Sequence, residues 1–532
     1  MTPTLRRALW ALPSLLCAAA CTTIGPNYHV PDKALVKQPL AARPLVEQDD
    51  GAAGKTLSEA ASAAAVPDYW WHLYDDPALD ALVNEALKSN NDLRVAAGNL
   101  ERANAVLGVA EAQGGFSANA SATINRAQES AEQYLLTTKL PVSYVGDAGL
   151  SVSYQFDLFG TLRRGVEASA ADLDAVRAAV DTARITVVAN VVRAYLESCS
   201  AAEEEDIANH SLALQNRSVD LAKRLSSAGR GAQPNVTRSV TQAQSVRADL
   251  PRFAAQRRVA RYQLAALLAR SPDALPASIA ACRRTPRILT PLPVGDGAAL
   301  LRRRPDVREA ERRLAGATAR IGVALGELYP NVSFGASAGV TGIGGDLGSV
   351  PTQRWGFGPL ISWTFPANGT RGRIRAAHAG ADIALAQFDG VVLNALRETQ
   401  SRLATYAGDL GRLDALYDVQ RSAGQSADET HRFFVAGRES FLADLDAART
   451  LTNVNAQVAS AEGKVAQDQV DVFLALGGGW QVGDAGGAAG PHGPPTGQSH
   501  SASAAAPAST ALPADTAAGA APASDAVPAR PQ

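Results

Sequence analysis

Four short segments of this sequence alternate between apolar residues and small or polar ones. In the first pair, apolar residues occupy every second position of 116–124 and 148–156. The second pair repeats the pattern at 332–340 and 357–365. A period of two places the apolar side chains on one face of a strand, and each run is near the roughly ten residues that a tilted strand needs to cross a bilayer. The pattern predicts four amphipathic strands in two hairpins.

Long helical segments follow these hairpins. No Gly or Pro lies between Gly165 and Gly229, and apolar or small residues recur there at helical spacing. At 1.5 Å per residue this run extends roughly 95 Å, which no compact globular domain accommodates. A second run without proline covers residues 367–490, although glycines loosen it in places. We predict a bundle of long helices, with a solvated coiled-coil stalk as the alternative.

The chain contains the same unit twice. Segment 91–110 recurs at 305–324 with a constant offset, and segment 224–229 recurs at 432–437. Each copy holds a helix, two strands, a long helix, a tip and a returning helix. The predicted domains are an extended N-terminal segment at 21–75, a first structural repeat at 76–277, a linker at 278–297 and a second structural repeat at 298–480.

Four strands form an open sheet, which suits a soluble sandwich as well as a membrane. No apolar stretch after the N-terminal twenty residues approaches the length of about eighteen that a membrane helix needs, so strands must make any crossing. An open edge in lipid leaves backbone groups unpaired at several kcal/mol each. Closure of the sheet therefore requires several chains.

The N-terminus has the pattern of a secretory signal that ends at a lipidation site. Two arginines precede an apolar run of about a dozen residues, too short to span a bilayer. Ala18-Ala-Ala-Cys21 resembles a lipobox, although leucine is usual at the position of Ala18. Thr22, where an aspartate would signal retention, implies export to the outer membrane. We predict a signal peptide at 1–20 and acylation of Cys21; an ordinary signal peptide with a chance cysteine is the alternative.

The composition excludes several classes of function. The formal net charge of -2 provides no phosphate-neutralising surface, so no nucleic-acid partner is expected. After processing, Cys199 and Cys282 remain, and the sequence does not decide whether they pair. The seven histidines lack metal-ligand spacing, so we expect no metal and no cofactor. Residues 481–532 are almost wholly Ala, Pro, Gly, Ser, Thr and Asp, which predicts a disordered tail.

Two motifs resemble catalytic signatures but lack their context. Gly335-Ala-Ser337-Ala-Gly339 matches the nucleophile elbow of hydrolases, yet it lies within a predicted strand, whereas the elbow needs a helix after the serine. Residues 51–56 look like the end of a phosphate loop, but Asp49 replaces its first glycine and no strand precedes it. We predict no catalytic residue and no enzyme activity.

Three motifs carry a family resemblance. Ile24-Gly-Pro-Asn-Tyr28 follows the predicted anchor, Leu301-Arg-Arg-Arg-Pro-Asp-Val-Arg308 opens the second repeat, and Leu476-Gly-Gly-Gly-Trp480 closes it. With this architecture, the chain resembles the TolC-like outer-membrane factors, in particular the lipoprotein branch that serves multidrug efflux pumps. The resemblance implies a homotrimer with a twelve-stranded β-barrel, four strands per protomer, continued by a long periplasmic α-helical barrel.

The resemblance also implies a tripartite efflux system. A periplasmic adaptor protein, tied to an inner-membrane pump that is RND-type in this branch, opens the tunnel. The chain would be a passive exit duct for drugs or other small molecules, anchored in outer-membrane lipid. The alternatives are a lipid-anchored periplasmic scaffold of helical hairpins, which would not need the strands, and a type I protein-secretion duct, which the anchor disfavours.

The family places a gate on the helices near the second tip. Its ring of aspartates, one per protomer, matches Asp446 in this sequence. A second family aspartate falls opposite Ala443, with Asp444 one position along. Asn235 replaces an aspartate near the first tip, and Phe434 stands where a tyrosine would reach it. A phenyl ring has no hydroxyl group, so that hydrogen bond cannot form here.

The two helix-hairpin tips share a glycine followed by an arginine, at Gly229-Arg230 and Gly437-Arg438. Glycine at this position is typical of a turn that ends a helix. We predict that both tips contact the adaptor; a plain solvated turn is the alternative.

Overall fold

The computed structural model describes residues 23–45, 58–132, 135–343, 345–365 and 368–478. The predicted signal peptide, the anchor Cys21, the segment 51–56 and the tail at 481–532 lie outside the described residues. The helices are α1 Pro77–Ser89, α2 Asn91–Ala112, α3 Thr161–Ser227, α4 Gln233–Leu267, α5 Ala277–Ala281, α6 Gly297–Arg303, α7 Pro305–Gly326, α8 Asn368–Val435 and α9 Phe441–Ala475. The strands are β1 Ala61–Ser62, β2 Phe116–Ala127, β3 Ser143–Phe156, β4 Leu292–Pro293, β5 Asn331–Ile343 and β6 Gln353–Ser362.

The four long strands form one antiparallel sheet in the order β2-β3-β5-β6. Its register separates two faces. One cross-strand row contains residues with small polar side chains or none: Asn119, Ser151, Ser337 and Gly356. The adjacent row is apolar: Ala118, Val152, Ala336 and Phe357. The four predicted strands and their alternation are confirmed, although β6 begins four residues before the predicted run 357–365 and ends at Ser362.

The helices pack side by side in one layer. Where they adjoin the sheet, the order is α2, α3, α7, α8; farther from the sheet it is α4, α3, α9, α8. Helices α3 and α8 have 67 and 68 residues, so each extends about 100 Å through both sections. The predicted long helices are therefore confirmed. Among the described residues, no helix is long and apolar enough to span a bilayer.

The main hydrophobic core lies around the middle of the long helices. Trp70 and Trp71 are each 1% exposed, and the ring of Trp70 stacks on Phe473 of α9 at 4.8 Å between centroids. The N-terminal segment and the linker meet here, since β1 pairs in parallel with β4. Close by, Cys199 of α3 and Cys282 of the linker form a disulfide. The pairing that the sequence left open is thus present.

The motifs that open and close the second repeat fit against each other. Arg303 Nε donates to the carbonyl oxygen of Leu476 at 3.1 Å, and Arg304 Nη1 donates to that of Ala475 at 2.7 Å. These carbonyl groups belong to the end of α9, where helical partners run out. Gly477 has a φ of +65°, and a Cβ there would lie 3.3 Å from Arg304 Cα. The arginine motif therefore caps α9, and the glycine makes room for it.

Candidate channel wall and gate

The first described residues are bound at the helix ends beneath the sheet. Arg164, in the first turn of α3, is 3% exposed. Its Nε donates to the carbonyl oxygen of Ile24 at 3.0 Å, and its Nη2 donates to that of Gly25 at 3.0 Å and to Asn27 Oδ1 at 2.8 Å. The N–H of Ile24 donates to the carbonyl oxygen of Phe159 at 3.1 Å, just before α3. The segment that follows the predicted anchor is thus held by a buried guanidinium.

Close backbone contact accompanies this docking. Gly25 has a φ of +93°, and a Cβ there would lie 2.6 Å from Gly322 Cα on α7. A Cβ on Gly322 would lie 2.8 Å from the carbonyl oxygen of Ile24. Neither site accepts a side chain, because each Cβ would lie within 2.8 Å of a backbone atom that cannot move aside. The Ile-Gly-Pro motif therefore belongs to a built docking site.

The polar face of the sheet has no catalytic geometry. Ser337 lies in the middle of β5, where it pairs with Ser151 and Gly356, and no helix follows it. The motif at 335–339 is therefore strand, as predicted. Within the part of the chain that the structure describes, no group of three His, Cys, Asp or Glu side chains could hold a metal ion.

Both tips end in the same hydrogen-bonded turn. Gly229 and Gly437 have φ values of +70° and +71°. The N–H of Arg230 donates to the carbonyl oxygen of Leu225, and the N–H of Arg438 donates to that of Phe433, each at 2.8 Å. This bond, with glycine in the left-handed region, defines a Schellman cap. All four predicted tip residues are exposed.

A small cluster joins the helix ends at the tips, separate from the main core. It consists of the buried residues Ala222, Val236, Phe441 and Leu445. Phe434 packs against it, with its ring 5.8 Å from that of Phe441. The residue that replaces the family's tyrosine therefore holds α8 to α9. Its role at a gate stays a prediction.

The predicted gate residues differ in exposure and in hydrogen-bond partners. Asp446 is exposed, whereas Asp444 is 15% exposed and bonded to His431 Nδ1 of α8 at 3.1 Å. Two positions along a helix rotate a side chain by about 200°, so these carboxylates point to opposite sides of α9. Asn235 is half-buried in the first turn of α4, where its carbonyl oxygen accepts from Ser239 Oγ at 2.9 Å. Sequence reasoning missed His431, since only the pairing of α8 with α9 brings it to Asp444.

A second acidic group was also missed, nearer the middle of α9. Asp468 is 2% exposed and pairs with Lys464 one turn earlier. Asp409 of α8 approaches the same lysine at 3.6 Å. Burial raises the pKa of Asp468 from 3.8 to about 6. The only sequence signal was the spacing of four between Lys464 and Asp468.

Residues 82–270 and 298–478 match the family model described as outer membrane efflux protein. The chain belongs to this family. It is 27% identical over 460 residues to Nodulation protein T from Rhizobium leguminosarum bv. trifolii, covering 86% of this chain and 94% of the relative. It is 30% identical over 496 residues to the pyoverdine export outer membrane protein OpmQ from Pseudomonas putida, covering 90% and 99%. A solved structure of the outer-membrane channel OprN matches with a TM-score of 0.77 and 34% identity, over 86% of this chain and 100% of that one.

Membership in the outer membrane efflux family confirms the predicted fold class and function. The chain is the outer-membrane duct of an efflux system and not an enzyme. Its sheet belongs to the outer membrane, and its helices form the large periplasmic part. The family model leaves out residues 271–297, which contain the linker and Cys282.

Proposed function

We propose that three copies of this chain close into one lipid-anchored channel, which works with a periplasmic adaptor and an RND-type inner-membrane pump to export small molecules. The observation that carries an assembly of several copies is that the sheet and the helical layer of the protomer each have two open edges, and the resemblance to the TolC-like factors gives the number three. Among the residues that the structure describes, strands β2 and β6 each pair with one other strand. Unpaired backbone groups are costly in lipid, so β2 of one copy must meet β6 of the next.

The helical layer supports the same closure. Helix α2, an edge of the section near the sheet, has no buried residue in the single chain, although it carries Val95, Val106 and Val109 at 56–64% exposure. On the opposite edge, α8 exposes Ile383 and Leu393. The apolar side chains on both edges are buried when α2 of one copy packs against α8 of the next.

Native mass spectrometry of the channel purified in detergent tests the assembly. We expect three protomers, and single-channel conductance from the same preparation in a planar bilayer. A conducting species of any other stoichiometry would overturn the trimer. The type I secretion duct remains the alternative to the efflux duct. The inner-membrane protein that co-purifies with the cross-linked complex decides between these two functions.

The lipid anchor is supported by the docking site of residues 24–27. Cys21 stands three residues before Ile24, a reach of at most about 10 Å, and Ile24 is bound beside the start of α3, directly below the sheet. An acyl chain contributes about 0.8 kcal/mol per buried methylene, so several chains hold firmly. Cys21→Ala should abolish lipid labelling yet leave the protein in the outer-membrane fraction. Lipid labelling that persists in Cys21→Ala would refute the lipid anchor.

Contact with the adaptor is supported by the shared geometry and exposure of the two tips. A Cβ at Gly229 or Gly437 meets no atom of the described residues within 4 Å, so a bulky residue would project outward. Gly437→Phe should therefore reduce efflux while trimer yield is kept. Gly437→Ala is the matched control, since it introduces the same backbone strain without the bulk. Unchanged drug resistance with bulky residues at both tips would count against the contact.

The gate is best assigned to Asp446. In a trimer, three exposed carboxylates around the threefold axis would attract cations. Asp444 is the matched control because its carboxylate points to the opposite side of α9 and is held by His431. We expect Asp446→Ala to weaken block by divalent cations in a planar bilayer, and Asp444→Ala to change it less. Equal block in the wild type and Asp446→Ala would refute the assignment.

A further inference from the structure

One ion pair lies on the otherwise uncharged polar face of the sheet. Along the four long strands, the charged residues are Arg126, Asp147 and Arg354. Arg126 belongs to the apolar face, where its guanidinium lies over the ring of Tyr144 at 5.8 Å. Asp147 and Arg354 therefore carry the fixed charges of the polar face.

The two charged side chains meet across an intervening strand. Asp147 is on β3 and Arg354 is on β6, with β5 between them. Arg354 Nη2 donates to both carboxylate oxygens of Asp147 at 2.9 Å. Thr341 of β5 completes the cluster: its hydroxyl donates to Asp147 Oδ2 at 2.5 Å and accepts from Arg354 Nε at 2.9 Å.

Glycines make this crossing possible. Ser121, Gly149, Gly339 and Arg354 form one cross-strand row. A Cβ on Gly339 would lie 3.2 Å from Arg354 Cζ, and one on Gly149 would lie 3.0 Å from Arg354 Nη2. The guanidinium thus lies flat on two positions without side chains, where a larger residue would lift it away from Asp147.

The cluster sits at the end of the sheet that is remote from the helices. β3 begins at Ser143 and β6 begins at Gln353, both directly after the loops that join the strands of each hairpin. The other ends of the strands lead into the helices. In the proposed trimer, which this inference presupposes, three such clusters face the lumen near its extracellular mouth.

We propose that Asp147 and Arg354 set the charge selectivity of the polar face at the extracellular end of the sheet by neutralising each other. With both present, a solute at this level of the wall meets hydroxyl, amide and glycine surface and no net charge from the strands. The exposed charges of Glu132, Lys139 and Asp346 belong to the loops beyond this level. Loss of either partner leaves one unpaired charge per protomer, and the mouth favours solutes of opposite sign.

The electrostatic potential beside the ion pair can be measured from the reaction rates of a cysteine introduced as Ser121→Cys. This measurement does not depend on the periplasmic gate. Ser121 is exposed and neighbours Gly149, over which the guanidinium lies. Cys199 and Cys282 are paired and offer no competing thiol. The trimer in lipid nanodiscs at low salt is treated with two thiosulfonate reagents, one carrying a trimethylammonium group and one a sulfonate group. The readout is the ratio of the two reaction rates.

Arg354→Gln should raise the cation-to-anion rate ratio about fivefold, and Asp147→Asn should lower it about fivefold, for a unit charge roughly 7 Å away in water. The double variant Asp147→Asn with Arg354→Gln should return the ratio to that of Ser121→Cys alone. The swapped pair, Asp147→Arg with Arg354→Asp, should do the same and serves if a single variant fails to assemble.

Shifts of both single variants in one direction, or a double variant as far displaced as either single one, would overturn mutual neutralisation. A rate ratio that is the same in both single variants, the double variant and the swapped pair as in Ser121→Cys alone would also overturn it. If Ser121→Cys reacts with neither reagent in an assembled trimer, the polar face is not in contact with water. That result would contradict the channel itself and so differs from failure of the ion pair alone.

Discussion

Two tryptophans show how differently two regions of this chain complete their packing. Trp70, in the core at the middle of the helices, is 1% exposed and stacks on Phe473 of the same chain. Trp355, on the apolar face of the sheet, is 78% exposed and stacks on Phe357 of the same strand. The helical region completes its core alone, whereas the sheet depends on lipid and on other copies. One chain therefore holds a full folding core but only a fraction of the channel wall.

Replacing each tryptophan by alanine tests this contrast most strongly. Trp70→Ala leaves a cavity that nothing outside the chain can fill, so it should cost about 3–5 kcal/mol of unfolding free energy. Trp355→Ala should cost far less in detergent, because micelle molecules replace the ring. Thermal unfolding followed by circular dichroism measures both, and equal losses would contradict a self-contained core.

The disulfide adds to the stability of the same region. Cys199 and Cys282 are separated by 83 residues in sequence, so their bond restricts a large loop of the unfolded chain. Cys199→Ser with Cys282→Ser should cost about 2–4 kcal/mol. A reducing agent should lower the unfolding temperature of the wild type to that of the double variant and leave the variant unchanged. If the unfolding temperature of the double variant also falls, the reducing agent acts on a group other than this disulfide.

Asp468 makes the helical region sensitive to pH in a way that the sheet is not expected to share. Burial raises the pKa of its carboxyl group to about 6, while Lys464 and Asp409 face it from α9 and α8. The stability from its neutral form is complete below pH 3.8 and is lost as the pH rises through about 6. Asn cannot ionise, so the wild type should lose on the order of 1–2 kcal/mol relative to Asp468→Asn over this window. If the unfolding free energies of the wild type and Asp468→Asn change in parallel from pH 4 to 7, the raised pKa of Asp468 is disproved.

The smallest expected effect compares two glycines of α8 and its tip. Gly437 has a φ of +71°, whereas Gly424 lies within the helix. A Cβ at either glycine meets no atom within 4 Å in the described part of the chain. Gly437→Ala should destabilise the tip by about 1 kcal/mol, and Gly424→Ala should stabilise the helix by about 0.5–1 kcal/mol. Amide hydrogen exchange near the tip should therefore change in opposite directions. Changes of the same sign would mean that the left-handed turn is not the cause.

The sequence by itself determined the repeating elements of this protein. Periods of two and of about 3.6 residues revealed the strands and helices, because side-chain direction follows directly from backbone geometry. Glycine at both tips marked the turns, since a left-handed residue favours it. The duplicated unit and the open sheet then pointed to an assembly of several chains. These inferences need only neighbours in sequence.

Only the tertiary structure decided which distant residues meet. Arg354 reaches Asp147 across 207 residues of sequence, and Arg164 reaches Ile24 across 140. The disulfide and the contact of His431 with Asp444 likewise arise where separate elements pack together. Such contacts depend on strand register and on helix rotation, and a shift of one residue would turn each side chain to another face. Periodicity shows which face a residue occupies, whereas packing selects its partner.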